Sequence, residues 1–301
     1  LVDTEAIRRA NFTVAIDAVN SVGGIIMPQL LKALGVSNVI ELNCEANGHF
    51  AHTPEPIPEN LTQIADLMRQ GRADVGFVVD PDVDRLAIVM ENGEMFVEEY
   101  TLVAVADYVL SRTPGATVSN LSSSRALRDV TERHGCTYSA SAVGEVNVTT
   151  EMKRTGAVIG GEGNGGVIYP ASHYGRDALV GVALFLSHLA HKGKKVSELK
   201  AEYPPYAITK HKIQLTPDID VDALLGSIKS YFAQGGALRL ADGTEQRPDA
   251  ITDIDGVKLD FSDGWVHLRR SNTEPIIRIY AEAHTMERAD ALAQAVAQLA
   301  R

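Results

Sequence analysis

Three short segments concentrate the residues that could do chemistry. In the first, Asp80, Asp82 and Asp84 alternate directly after the apolar run at residues 75–79, and Arg85 follows. Three carboxylates this close repel one another unless a cation offsets their charge. A hard divalent ion such as Mg2+ takes oxygen ligands and keeps positions open for water or a phosphate oxygen. The loop has neither the glycine nor the closing glutamate of an EF-hand. The competing reading is a solvated turn, which Asp and Pro both favour.

The second segment, Gly160 to Gly166, holds five glycines around Glu162 and Asn164. Glycine permits backbone conformations closed to other residues and lets a ligand approach closely. A carboxylate that accepts and an amide that both donates and accepts suit hydroxyl groups. A flexible surface loop has the same composition. The third segment runs from Arg269 through Arg270, Ser271, Asn272, Thr273, Glu274 and Pro275 to Arg278. Arginine forks match phosphate oxygens, and hydroxyls with loop N–H groups complete an anion cradle. A basic strand edge is the plain alternative.

The elements that must position these segments follow from periodicity and punctuation. Strand-like runs at residues 12–17, 39–42, 75–79 and 86–90 alternate with helical runs at 28–34 and 59–70. Pro28 opens and Gly35 closes the first of those helices. The order recurs: a strand near 117–118, a serine loop at 122–124, a helix at 125–133 and a strand at 137–141. Two strand–loop–helix–strand units predict duplicated parallel βαβ architecture. After Tyr203-Pro204-Pro205 the pattern changes. Strands at 208–215, 256–261, 265–269 and 276–282 and helices at 221–232 and 286–299 predict an α+β domain. The fold expected is α/β: two consecutive βαβ-type mixed α/β domains, residues 1–95 and 96–202, then an α+β domain, residues 203–301.

Composition limits the partners. The 301 residues carry a formal charge of −11, which argues against nucleic acid or an anionic membrane, since both require a basic face. No apolar run reaches the roughly 18–20 residues of a membrane span. Cys44 and Cys136 form no metal-type cluster and read as reduced thiols of a cytoplasmic protein. An acidic protein that binds phosphate must gather positive charge locally, and the arginine segment does so.

The three segments together resemble the α-D-phosphohexomutases (phosphoglucomutase, phosphomannomutase and phosphoglucosamine mutase). The acidic segment is similar to that family's Asp-Gly-Asp-x-Asp-Arg metal loop, with Pro81 in place of the common glycine. The glycine segment resembles its Gly-Glu-x-Ser-Gly sugar loop, with Asn164 in place of serine. The arginine segment is similar to Arg-x-Ser-x-Thr-Glu-Pro followed by an arginine. Gly175-Arg176-Asp177, before an apolar helix, is a pattern also familiar there, and Asp177 would equally serve as a helix cap.

The resemblance implies specific roles. Asp80, Asp82 and Asp84 would hold Mg2+, and Arg85 would act on the transferring phosphoryl group. Glu162 and Asn164 would contact sugar hydroxyls. Arg269, Ser271, Asn272, Thr273 and Arg278 would hold the phosphate that is not reacting. It implies a hexose phosphate substrate, a bisphosphate intermediate and a cleft on which all three segments converge, with glucosamine phosphate the sugar favoured over mannose and glucose.

The family's phosphoserine motif, of the Thr-Ala-Ser-His-Asn-Pro type, is not in the sequence. Ala171-Ser172-His173 is a scrap without the Asn-Pro, and Ser172 is not taken as the phosphoserine. The chain starts at Leu1, so an N-terminal domain of the same polypeptide is expected as its missing partner, with the chain inactive alone. Where the family often has His or Lys after Val-Gly, this chain has Glu145, a candidate base. Two other readings remain: a metal-dependent phosphatase with Asp80 as nucleophile and Asp82 as acid, and a sugar-phosphate-binding module.

Overall fold

The computed structural model describes residues 1–215, 220–271 and 274–299. The chain divides into two compact units, Leu1–Pro204 and Pro205–Arg301.

In the first unit a short helix α1 (Thr4–Ala10) precedes β1 (Thr13–Asp17), α2 (Gly23–Leu34), β2 (Asn38–Leu42), α3 (Thr62–Arg69), β3 (Val75–Val79) and β4 (Leu86–Met90). The four strands form one sheet in the order β2-β1-β3-β4. β1 is parallel to β2 and β3, and β4 returns antiparallel to β3. Then come α4 (Glu98–Arg112), β5 (Thr117–Asn120), α5 (Ala126–Arg133), β6 (Tyr138–Ser141), α6 (Glu145–Thr155), β7 (Ile159–Glu162), β8 (Gly166–Ile168), α7 (Ala178–Lys192) and α8 (Val196–Lys200). The second sheet repeats the first, order β6-β5-β7-β8, with only the β7–β8 pair antiparallel. The duplication expected from the sequence is present as topology.

Helices α4 and α7 bind these sheets into one unit. Each packs on the other, on β4 and on β8. Both are buried on nearly every face, as helices enclosed by protein are, and Phe185 of α7 meets Phe77 of β3 and Phe96 edge-on. No helix among the described residues is long and apolar enough to cross a membrane.

One helix start differs from expectation. α2 begins at Gly23, with Pro28 inside it rather than at its first turn. Gly23 and Gly24 precede the helix expected at 28–34, yet they lie inside α2 and serve packing. A Cβ on Gly23 would lie 2.6 Å from Val79 Cγ2, and one on Gly24 would lie 2.3 Å from the Cys44 carbonyl oxygen.

The second unit holds β9 (Ala207–Gln214), α9 (Val221–Ala233), the two-residue strands β10 (Leu238–Arg239) and β11 (Glu245–Gln246), β12 (Ala250–Thr252), β13 (Val257–Phe261), β14 (Gly264–Arg270), β15 (Ile276–Ala283) and α10 (Met286–Leu299). Five strands form a fully antiparallel sheet, β12-β13-β14-β15-β9. Leu225 and Ile228 of α9 share one core with Leu292 and Val296 of α10, above Leu259, Val266 and Ile279 of the sheet. This is the α+β arrangement expected.

Candidate functional site

The acidic segment is the turn of the β3–β4 hairpin. Asp80 is 2% exposed, Asp84 half-buried and Asp82 exposed. One Asp80 oxygen accepts the backbone N–H groups of Asp84 and Arg85, at 3.1 and 3.0 Å, and the other accepts Arg85 Nε at 2.9 Å. Val83 sits in the left-handed region at φ 61°, a costly conformation for a β-branched residue and of the kind that clusters at functional sites. One carboxylate oxygen from each of Asp80, Asp82 and Asp84 lies within 4.8 Å of the others. Burial pushes the Asp80 carboxyl up from its ordinary value, and the neighbouring Asp84 adds to the rise, against the pull of the Arg85 hydrogen bonds. In number, chemical type and proximity these oxygens suit a hard cation, and one would relieve the cost of ionising Asp80.

The glycine segment is not a free loop. Gly160, Gly161 and Glu162 belong to β7 and Gly166 to β8, so only residues 163–165 turn. Strand glycines here answer to space. A Cβ on Gly160 would fall 2.6 Å from Met152 Sδ, and one on Gly161 would fall 2.0 Å from the Gly166 carbonyl oxygen. Glu162 is 5% exposed. Its Oε1 accepts Asn120 Nδ2 at 2.9 Å and the Gly144 N–H at 3.2 Å, and its Oε2 accepts Arg176 Nη1 at 2.8 Å. Asn164 Oδ1 closes the turn by accepting the Gly166 N–H at 3.1 Å.

The structure brings these two hairpins together. Leu86 N–H donates to the Gly165 carbonyl at 3.0 Å, and Ala178 N–H donates to the Val83 carbonyl at 3.0 Å. Asp177 caps α7 by accepting the N–H groups of Leu179 and Val180. Between the hairpins stands Arg176. Its Nη2 donates to Asp84 and its Nη1 to Glu162, and Nε lies 3.5 Å from Glu145. Burial works against its charge, but the carboxylates of Asp84, Glu162 and Glu145 outweigh it and raise its pKa. Asn120 and Arg176 were not among the site residues expected. Asn120 ends β5 just as Asp17 ends β1, a signal the repeat offered. Arg176 carried none beyond its place before the apolar helix.

In the second unit the arginine segment spans the end of β14, the turn and the start of β15. Asn272 and Thr273 lie outside the described residues. Arg269 and Arg278 are register partners across the ladder. Ser271 is 5% exposed, and its Oγ accepts Glu274 N–H at 3.3 Å and Arg278 Nε at 3.4 Å. Arg278 also pairs with Glu274 at 2.6 Å. The Nε of Arg269 is buried without a hydrogen-bond partner among the described residues.

Comparison with known proteins matches three family models in chain order. Residues 1–93 match phosphoglucomutase/phosphomannomutase α/β/α domain II, residues 98–206 match α/β/α domain III, and residues 236–299 match the C-terminal domain. A phosphoglucomutase/phosphomannomutase of Thermococcus kodakarensis is 36% identical over 290 residues, covering 96% of this chain and 60% of the relative. A "Probable phosphoglucosamine mutase" of Pyrococcus abyssi is 34% identical over 292 residues, covering 97% and 62%. The crystal structure of a phosphoglucomutase/phosphomannomutase family protein from Burkholderia thailandensis superposes with a TM-score of 0.81 at 27% identity, over 98% of this chain and 62% of that one. The chain thus spans about three fifths of the length of these relatives. With its motifs in the expected order and its domains matched over most of its length, the chain belongs to the phosphoglucomutase/phosphomannomutase family.

Proposed function

We propose that the chain supplies the metal-binding, sugar-binding and phosphate-binding parts, divided near residues 95 and 202, of an enzyme that moves a phosphoryl group between the 1- and 6-positions of a hexose. The observation that carries this reading is the union of the acidic and glycine hairpins, with Asp84 and Glu162 on one guanidinium.

In this proposal Asp80, Asp82 and Asp84 hold Mg2+, which when bound offsets negative charge on a phosphoryl group in transfer. Arg85, 32% exposed and anchored on Asp80, presents its guanidinium to the same group. Glu162 and Asn164 orient the sugar through its hydroxyls. Arg269, Ser271 and Arg278, with Asn272 and Thr273, hold the phosphate that is not reacting, and binding energy there orients the reacting end. Glu145, half exposed beside Arg176, is the group we propose for proton transfer. The sequence holds no phosphoserine motif, so the phosphoryl donor is proposed to be a serine outside these residues. Glucosamine phosphate is the substrate favoured over mannose and glucose phosphates.

The phosphatase reading is weaker on geometry. Both Asp80 oxygens accept hydrogen bonds from the protein and the group is 2% exposed, whereas a nucleophile needs a free oxygen in line with phosphorus. Calorimetry with Mg2+ and with glucosamine, glucose and mannose 6-phosphates tests the binding claim. The chain is expected to bind the ion and a hexose phosphate without isotopic exchange between 1- and 6-phosphates. Binding of neither, or a phosphoaspartate trapped at Asp80, would reject the proposal.

A further inference from the structure

Arg176 answers to two hairpins from different halves of the first unit. One of its terminal nitrogens is on Asp84, in the β3–β4 turn, and the other on Glu162, the last residue of β7. Its backbone N–H donates to Glu145 Oε1 at 3.1 Å, which fixes the base of the side chain at the head of α6. The side chain is 20% exposed. A Cβ on Gly166 would fall 2.4 Å from Arg176 Cδ, so the glycine next to the turn leaves room for this arginine to pass. A lysine offers a single point charge and cannot hold two carboxylates through separate, coplanar nitrogens.

We infer that Arg176 is a positioning residue that couples the metal loop to the sugar loop, so that a change of charge at Asp84 is felt at Glu162. The physical argument is that the two carboxylates compete for one rigid donor. A cation that draws on Asp84 weakens its hold on Nη2 and leaves the guanidinium more fully to Glu162. Glu162 in turn is read out by the Gly144 N–H, which donates to its other oxygen. A coupling of this kind is a two-site energetic link through one physical element. The inference rests on the proposed role of Asp80, Asp82 and Asp84 as metal ligands.

The test is amide NMR of the whole chain titrated with Mg2+ alone. Shifts are expected in residues 80–85 and also at Gly144. In Arg176→Met and Arg176→Lys the 80–85 shifts persist while the Gly144 shift falls by roughly threefold or more. Glu162→Gln cuts the same link from the other side and guards against an arginine variant that does not fold. A general structural role would disturb the spectrum without Mg2+ and leave the Gly144 response unaltered in a folded variant. An undiminished Gly144 response in folded Arg176→Met or Glu162→Gln overturns the coupling, as does a native chain in which residues 80–85 respond and Gly144 does not. Silence at residues 80–85 rejects the metal reading itself, and the coupling with it.

Discussion

The β3–β4 and β7–β8 hairpins occupy the same place in two sheets of identical topology, yet they treat space and charge in opposite ways. The first turn is six residues long, bears three carboxylates and a left-handed valine, and spends its backbone donors on Asp80. The second turns in three residues, and its glycines are demanded by atoms that press on them. Asp80 follows the end of β3, and Glu162 ends β7. One duplicated frame thus offers a carboxylate near the end of the third strand in each copy, one beside other carboxylates and one beside Asn120 and Arg176. Sharing α4 and α7 lets the two copies face their turns toward each other.

This contrast can be broken by substitution. The glycine hairpin should be the less tolerant of volume. Gly161→Ala puts a Cβ 2.0 Å from a carbonyl oxygen, and urea unfolding should show a loss of about 3 kcal/mol; a loss under 1 would mean the hairpin yields easily.

The β14–β15 hairpin extends the comparison to the second unit. His267, on β14 itself, is buried, its Nε2 donating to the Asp255 carbonyl at 2.6 Å, and burial lowers its pKa to about 4. The folded state therefore binds this proton less readily than the unfolded chain. Stability is full above the unfolded value of about 6.5 and is lost as pH falls toward 4. Between pH 7 and 5 unfolding of this unit should become easier by about 2 kcal/mol, and His267→Gln should flatten that dependence.

At the acidic turn, the exposed Asp82 has no hydrogen-bond or ion-pair partner to lose among the described residues. Asp82→Asn should weaken Mg2+ binding by about tenfold in calorimetry while leaving unfolding without metal unchanged or slightly harder. Pro81→Gly should have the smallest effect, under about 1 kcal/mol through the unfolded chain. A larger loss would show that the acidic turn is as tightly built as its glycine counterpart.

The sequence was legible where unusual residues cluster. Alternating aspartates after an apolar strand, glycines around Glu162 and arginines around Ser271 needed no tertiary information to be noticed, and the repeat of strand and helix order foretold two sheets of one topology. It was opaque where packing alone decides. Gly160 and Gly161 look like loop because glycine is a poor strand former in the abstract, but Met152 and the Gly166 carbonyl leave no room for a side chain. Gly23 and Gly24 hide their place in α2 in the same manner, and Pro28 then looks like a helix start. Arg176 was hidden because its significance lies in two partners, 92 and 14 residues away.

The register of β14 and β15 sets Arg269 opposite Arg278. Only Arg278 has an acidic partner: Arg269 joins no ion pair among the described residues. Like charges facing each other across a ladder work against it, so this stretch of sheet is held together despite its own electrostatics. Buffer choice therefore becomes a structural variable. At equal ionic strength, phosphate or sulfate should raise the melting temperature of this unit above its value in chloride, since a tetrahedral oxyanion can satisfy both guanidinium groups at once.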